Sequence, residues 1–419
     1  MRKSMILGAI ACSLPFLLYS GKISAAEVKI GVLYPMSGPT AQVGLDNKHA
    51  IELAMDIVNT RNYKHLNLPL AKEGLSNLGS AKVTVTIADH QGKPDLGLSE
   101  AERLVSQEKV ITLMGAYHSS VTETASMVAE RMKIPFFNAE SSSPKLTRRG
   151  FKWFFRTSPH DEIFAGSLFQ CLNALEKKRG MKFKTVGLMY EDTLYGKDSS
   201  RIEKELSARA GYQVVADIPY RRAATSLVSE IQRLKAANPD VFLPTSYTSD
   251  AILIMKTMKE MNYNPPAIFA QDAGYIDPSF VEAMGKDVDG ICSHESFSID
   301  LAAHKPMLKE INDLFKARSR RDLSGASARC FMGFLVLCDA INRAGSTSPE
   351  AIRQALAKTN MPSEQLITPW RGVKFDETGQ NILGDNVVIQ FQGGKPHTVW
   401  PSNLATKEIL YPNPKWSER

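Results

Sequence analysis

The sequence predicts an α/β protein built as two doubly wound parallel-sheet lobes joined by a multi-strand hinge, and three observations carry that expectation. Residues 113–150 (LMGAYHSSVTETASMVAERMKIPFFNAESSSPKLTRRG) read as a buried strand, a Ser/Thr-rich turn, an amphipathic helix, a second strand and a second hydroxyl-rich turn. That is a parallel βαβ unit. The same alternation fills residues 27–150, breaks at the Ser-Pro of residues 155–161 (FRTSPHD), and then starts again. After the second series comes a run of helices without strands, so the chain returns to cover the first lobe. Lobes joined by several crossings can hinge without separating.

Each element has a local reason. Glu27–Tyr34 (EVKIGVLY) alternates apolar and polar residues as a strand does, and Pro35-Met36-Ser37-Gly38-Pro39 ends it in a rigid turn. Residues 42–59 place apolar side chains at helical spacing, and residues 60–80 are polar and turn-rich, the composition of a surface loop. A strand at 83–89, a helix at 96–108 with Leu98, Ala101, Leu104 and Val105 on one face, and a strand at 110–115 follow. In the second lobe, helices at 162–178, 196–210, 225–237 and 249–261 alternate with strands at 185–190, 212–218, 240–244 and 267–270. Helix 278–284 and strand 288–293 complete it. Helices at 304–318, 326–344 and 349–358 form the strandless run, and the tail is β-rich, with strands at 370–375 and 386–391. The expected partition is residues 1–26 as a leader, 27–157 plus 295–368 as the first lobe, and 158–294 plus 369–419 as the second.

The leader has its own signature. Arg2 and Lys3 precede an apolar run from residue 5 to 18, and Ser24-Ala25-Ala26 puts small residues before Glu27. This is the pattern of a cleavable secretory signal, too short to span a bilayer. Its removal takes away Arg2, Lys3 and Lys22 and lowers the formal charge from +7 to +4. The remainder carries no block of like charges, which argues against nucleic-acid binding. The short basic runs Lys177-Lys178-Arg179 and Arg318-Ser319-Arg320-Arg321 read as solvated helix ends, the second with a membrane-bound partner as an alternative contact. The apolar run continues past Cys12, which argues against a lipid anchor there. Cys330 and Cys338 share a helix, where eight residues rise about 12 Å, too far for a bridge. With Cys171 and Cys292 they are expected as buried free thiols. No G-x-S-x-G elbow, phosphate loop or H-E-x-x-H occurs, and none of the eight histidines has metal-ligand spacing, so no enzyme, metal or cofactor is expected.

The two hydroxyl-rich turns carry the functional expectation. Ser119, Ser120 and Thr122 lie in the first and Ser141, Ser142 and Ser143 in the second. In a doubly wound sheet both turns open on the crevice beyond the strands' carboxyl ends. Hydroxyls and helix-start amides there suit a small carboxylate. Ser120 followed by Glu123 also fits a plain capping box, and both readings stand on the residues alone.

Longer stretches bring a resemblance. KIGVLYPMSGPTAQVG, YHSSVTETAS, SSSPKLTRRG, YEDTLYG, NPDVFLPTSY and WRGVKFDETG together resemble the periplasmic leucine/isoleucine/valine-binding protein family, solute-binding components of ABC importers with the type I periplasmic fold. The resemblance spans nearly all of the chain after the leader. It implies that Ser119 and Ser142 meet a ligand α-carboxylate and that the Glu140 carbonyl and Asp272 take its ammonium. It also implies that Tyr195 and Tyr247 close over the ligand from the second lobe. Thr122 and Tyr117 belong to the same candidate set, Tyr117 either lining the pocket or packing beside it. Asp272 as a loop residue in an Asx turn, and both tyrosines as rim residues, are the alternatives. Three departures bear on the ligand: Val43 where relatives often carry an aromatic cover, His118 as a packed or rim histidine, and Glu140 as an extra acid whose side chain could face solvent. The implied function is capture of a small amine-bearing carboxylate, a branched-chain amino acid or a relative of one, in the periplasm. Aromatic or aliphatic carboxylates, amides, and a sensory ligand-binding module are the alternatives. The implied partners are a small-molecule ligand and an inner-membrane ABC permease, and the chain is expected to act as a monomer.

Overall fold

The computed structural model describes residues 27–419. The expected leader and Cys12 lie outside the described residues. The first lobe runs β1 (Glu27–Tyr34), α1 (Ala41–Thr60), β2 (Lys82–Asp89), α2 (Pro94–Ser106), β3 (Thr112–Gly115), α3 (Ser119–Met132), β4 (Phe136–Asn138) and β5 (Phe154–Arg156). Its five strands form one parallel sheet in the order β2-β1-β3-β4-β5. β1, β3, β4 and β5 are nearly all buried beneath the covering helices, whereas the edge strand β2 is mostly half-buried.

The second lobe runs α4 (Asp161–Arg179), β6 (Thr185–Glu191), α5 (Leu194–Ala210), β7 (Gln213–Tyr220), α6 (Val228–Ala237), β8 (Val241–Thr245), α7 (Thr248–Glu260), β9 (Ala267–Ala270), α8 (Pro278–Met284) and β10 (Cys292–Glu295). The chain then returns through α9 (Pro306–Ser319), α10 (Gly325–Ala344) and α11 (Pro349–Ala357), with α9 and α10 packed on α1 of the first lobe. A small pair, β11 (Asn360–Pro362) and β12 (Gly372–Lys374), precedes β13 (Val387–Gln392) and β14 (Lys395–Trp400). The second sheet has the order β14-β13-β10-β9-β8-β6-β7. It is mixed at one edge: β13 is antiparallel to β10, and β14 to β13. The reason is directional, because β10 runs towards the cleft whereas β13 comes from it.

Several expectations change. β5 is a fifth strand of the first sheet, at a place where the sequence suggested only the start of the crossing. β10 begins at Cys292, since residues 285–288 form a short 3-10 turn in place of the start of the expected strand 288–293. Residues 60–80 are no mere surface loop, because Leu66, Leu68, Leu70, Ala71 and Leu75 are buried in the core. The tail stays with the first lobe past residue 369: the Phe375 ring packs edge-on against Phe137 and Phe155 at 6.3 and 5.4 Å. All four described cysteines are free and buried. The run at residues 318–321 is also more than a solvated helix end, since Arg321 donates to Ser279 at 3.0 Å and meets Glu282 at 3.1 Å on α8 of the other lobe.

Three crossings join the lobes: after β5, after β10 and before β13. The first and third lie side by side. Asn381 donates its backbone amide to Arg156 O at 2.9 Å and its side-chain amide to Thr157 O at 3.0 Å, and Gln380 donates to Ser158 O at 2.9 Å. Arg156 itself is wholly buried. Its guanidinium donates to Gln380 Oε1 at 2.7 Å, Ser143 O at 2.7 Å, Thr147 Oγ1 at 3.1 Å and Ser141 O at 3.2 Å. Burial lowers its pKa to about 9, and the acceptors around it compensate for that burial.

Arg156 therefore ties the hinge to the second serine turn. The substitution Arg156→Met takes the donor from the buried Gln380 Oε1 and one of two donors from each of the Ser141 and Ser143 carbonyls, and a buried acceptor left unpaired costs about 1–3 kcal/mol. We expect it to lower the urea midpoint clearly, with a net loss of about 3 kcal/mol, and to weaken ligand binding in the same variant.

Candidate ligand-binding site

The cleft is shaped first by the two serine turns. Asn138, the last residue of β4, folds the second turn back on itself. Its Oδ1 accepts from Glu140 N at 3.0 Å and Ser141 N at 2.9 Å, and its Nδ2 donates to Ser141 O at 2.9 Å. The two turns are then bonded to each other. Ser141 Oγ donates to Tyr117 O at 3.0 Å and lies 2.6 Å from Thr122 Oγ1, which accepts from Ala116 N at 3.0 Å. Ser143 N donates to Ser119 Oγ at 3.4 Å. The capping box suggested by Ser120 and Glu123 does not form, because α3 begins at Ser119 with His118 as its flanking residue and no side-chain cap.

The second lobe supplies the opposite wall. Gly196 lets α5 start against the backbone of Glu191, which brings Tyr195 to the cleft. A Cβ on Gly274 would overlap the Tyr247 backbone, so only glycine allows the 272–276 turn to sit directly on that of Tyr247. Tyr195 donates its hydroxyl to Gln271 O. The Tyr247 ring crosses the cleft to His118 at 4.6 Å and Tyr117 at 5.7 Å. Arg222 also bridges the lobes, donating to Gly92 O at 2.8 Å.

Between these walls lies a cavity lined by Tyr117, Ser119, Glu140, Ser142, Tyr195, Tyr247, Asp272, Ala273 and Arg329. Seven of the eight residues expected from the sequence thus meet in one place. Thr122 does not: it stands behind the wall and holds the two turns together. His118 is buried and packed among Tyr117, His90 and Tyr247, away from the cavity lining. Val43 is buried in the core.

The electrostatics differ from the expectation in two respects. The Glu140 side chain does not face solvent. It is buried and accepts from Tyr34 Oη at 2.8 Å and Asn47 Nδ2 at 3.0 Å, and burial raises its pKa from 4.5 to about 7. Asp272 is not an unattended acid either. Its Oδ2 accepts from Arg329 Nη1 at 2.7 Å, while Oδ1 accepts from the Ala273 amide as an Asx-type cap. The capping alternative and the cavity-lining role therefore coexist in one carboxylate. Its backbone, at φ 38° and ψ −143°, lies outside the regions that non-glycine residues favour. Burial also raises Asp161, beside Ser142, to about 7 and lowers His294, beside Asp272, to about 3.

Arg329 is the residue that the sequence reasoning missed. A signal was present: it is the one charged residue in residues 325–338, an otherwise apolar and uncharged run of α10. Charged residues in such a run are rarely buried without a partner.

The arrangement suits a small polar ligand enclosed from both sides, and comparison with known proteins agrees. The profile of the periplasmic binding protein family matches residues 27–395. The chain belongs to that family. Its relatives include the Leu/Ile/Val-binding protein homolog 7 of Brucella melitensis, 28% identical over 413 residues, which covers 96% of this chain and 98% of that protein. Among solved structures, the fold is similar to the branched-chain amino acid transporter substrate-binding protein LivJ of Streptococcus pneumoniae, solved in complex with isoleucine (TM-score 0.73, 20% identity, 92% of this chain and 100% of that one). It is equally similar to an ABC-transporter solute-binding protein of R. palustris solved in complex with benzoate (TM-score 0.75, 17% identity, 94% and 99%). The family is one of solute-binding proteins, not enzymes. Among the described residues, no His/Cys/Asp/Glu cluster could hold a metal ion and no helix is long and apolar enough to cross a membrane.

The raised carboxyl of Glu140 has a consequence for stability. Between pH 4.5 and about 7 the folded protein keeps a proton that the unfolded chain has released. Stability then falls as pH rises through that window. We expect the ligand-free Tm to drop between pH 5 and pH 8, and Glu140→Gln to shrink that drop when both proteins are melted across the same series.

Proposed function

We propose that the protein is the periplasmic solute-binding component of an ABC importer, capturing a small amine-bearing carboxylate and delivering it to an inner-membrane permease. One observation supports this best: seven candidate residues from both lobes line a single cavity between them. In this reading Ser119, Ser142 and the start of α3 take the carboxylate, as hydroxyls and helix-start amides do. Asp272 and the Glu140 carbonyl take the ammonium, and Tyr117, Tyr195 and Tyr247 exclude water. Both ligand charges are then paired once the cleft closes, which a buried zwitterion requires. Ligand contacts with both lobes favour the closed form by population shift. The isoleucine complex of LivJ is in keeping with an amino acid.

A second reading has its own support. Because Arg329 already neutralises Asp272, a carboxylate without an amine leaves that pair intact, and the R. palustris neighbour was solved with benzoate. A thermal-shift screen separates the two, since a bound ligand raises Tm by mass action. Amino acids should shift the melting curve and benzoate or isocaproate should not; the reverse pattern removes the amine from the proposal. Ser119→Ala should weaken the active ligand by about 1.5–3 kcal/mol, the range for a hydrogen bond to a charged group, as read by calorimetry.

A further inference from the structure

Arg329 reaches the cavity from α10, on the first-lobe side, and only 2% of it is exposed. A guanidinium presents five N–H donors in a rigid fork. Here Nη1 alone is engaged, with Asp272 Oδ2 at 2.7 Å and, at the limit of hydrogen bonding, Ser296 Oγ at 3.5 Å. Nε is buried without an acceptor, and Nη2 has no hydrogen-bond partner among the described residues. The Phe164 ring lies under the group at 5.6 Å and offers no acceptor atom. A cation enclosed with most of its donors idle is costly unless something supplies acceptors.

We propose that Arg329 is a ligand-binding residue and that the ligand is an amino dicarboxylic acid whose second carboxylate sits on the free edge of that guanidinium. The inference rests on the amino-acid reading above and narrows it. Hydrogen-bond matching favours this class over a branched-chain amino acid. The cavity is lined by neutral donors at Ser119 and Ser142, by the acids Asp272 and Glu140, and by one cation, Arg329. Burial raises the carboxyl of Glu295, which lies within charge range of Arg329, well above the usual carboxylate range. A monocarboxylic amino acid would leave the idle N–H groups of Arg329 facing methyl groups. A second carboxylate completes the set: acid on serines, ammonium on Asp272, acid on Arg329. Two parallel N–H···O bonds are the geometry in which arginine holds a carboxylate best.

Calorimetry of the full mature chain with L-aspartate, L-glutamate, L-asparagine, L-glutamine, L-leucine and glutarate tests this. One of the two acidic amino acids should bind at least tenfold more tightly than its own amide and than leucine. Arg329→Gln should erase the preference of acid over amide. If that variant fails to fold with Asp272 unpaired, the charge-neutral pair D272N/R329Q replaces it, and it too should lose the preference. Tighter binding of leucine than of either acid overturns the inference while leaving amino-acid capture standing. An acid-over-amide ratio unchanged in the variants overturns it as well. Binding of glutarate with no amino acid bound overturns both this inference and the amine-bearing reading on which it rests.

Discussion

The Arg156 guanidinium, buried at the base of the cleft, determines the geometry on which the site depends. It bonds to two carbonyls of the second serine turn and to Gln380 of the third crossing. One side chain thus couples the shape of the ligand wall to the segment about which the lobes move. Asn138 adds the local fold of the turn, and the Thr122–Ser141 contact ties it to the first. Flexible serine loops would make poor anion receptors, because ordering them on binding consumes much of the contact energy. Here that ordering is completed during folding.

The closed cleft imposes a second constraint, the pairing of buried polar groups. Tyr195 meets this with the Gln271 carbonyl. Asp272 meets it with Arg329. The same low-dielectric surroundings explain why the carboxyls of Glu140 and Asp161 are pushed towards neutral pH. Contacts such as Arg222 to Gly92 and Arg321 to Ser279 join the lobes at the periphery, where breaking them costs less than opening the cavity. Such a division lets the lobes separate while each remains intact.

The fold was legible because apolar strands alternating with amphipathic helices have few packing solutions, and the handedness of βαβ units fixes most of the rest. Seven of eight candidate residues meeting in one cavity follows from the same rule, which sends successive turns to one side of the sheet. The meeting of Arg329 with Asp272 was illegible for a physical reason. Arg329 belongs to a helix of the return segment, and nothing in the spacing of residues 272 and 329 says that they touch. The Glu140 side chain was misjudged for a similar reason, since Tyr34 and Asn47, which turn it inward, come from β1 and α1.

By itself, then, the sequence determined two α/β lobes, several crossings, a cleft lined with hydroxyls and a family relationship, all of which depend on local periodicity and motifs. The tertiary structure alone decided that the second sheet is mixed, that Thr122 stands behind the wall, and that an arginine occupies the cavity beside the aspartate. Those features depend on contacts between segments far apart in the chain. Local pattern constrains an element and the face it buries; which charges meet inside is decided only when the elements pack and water is excluded.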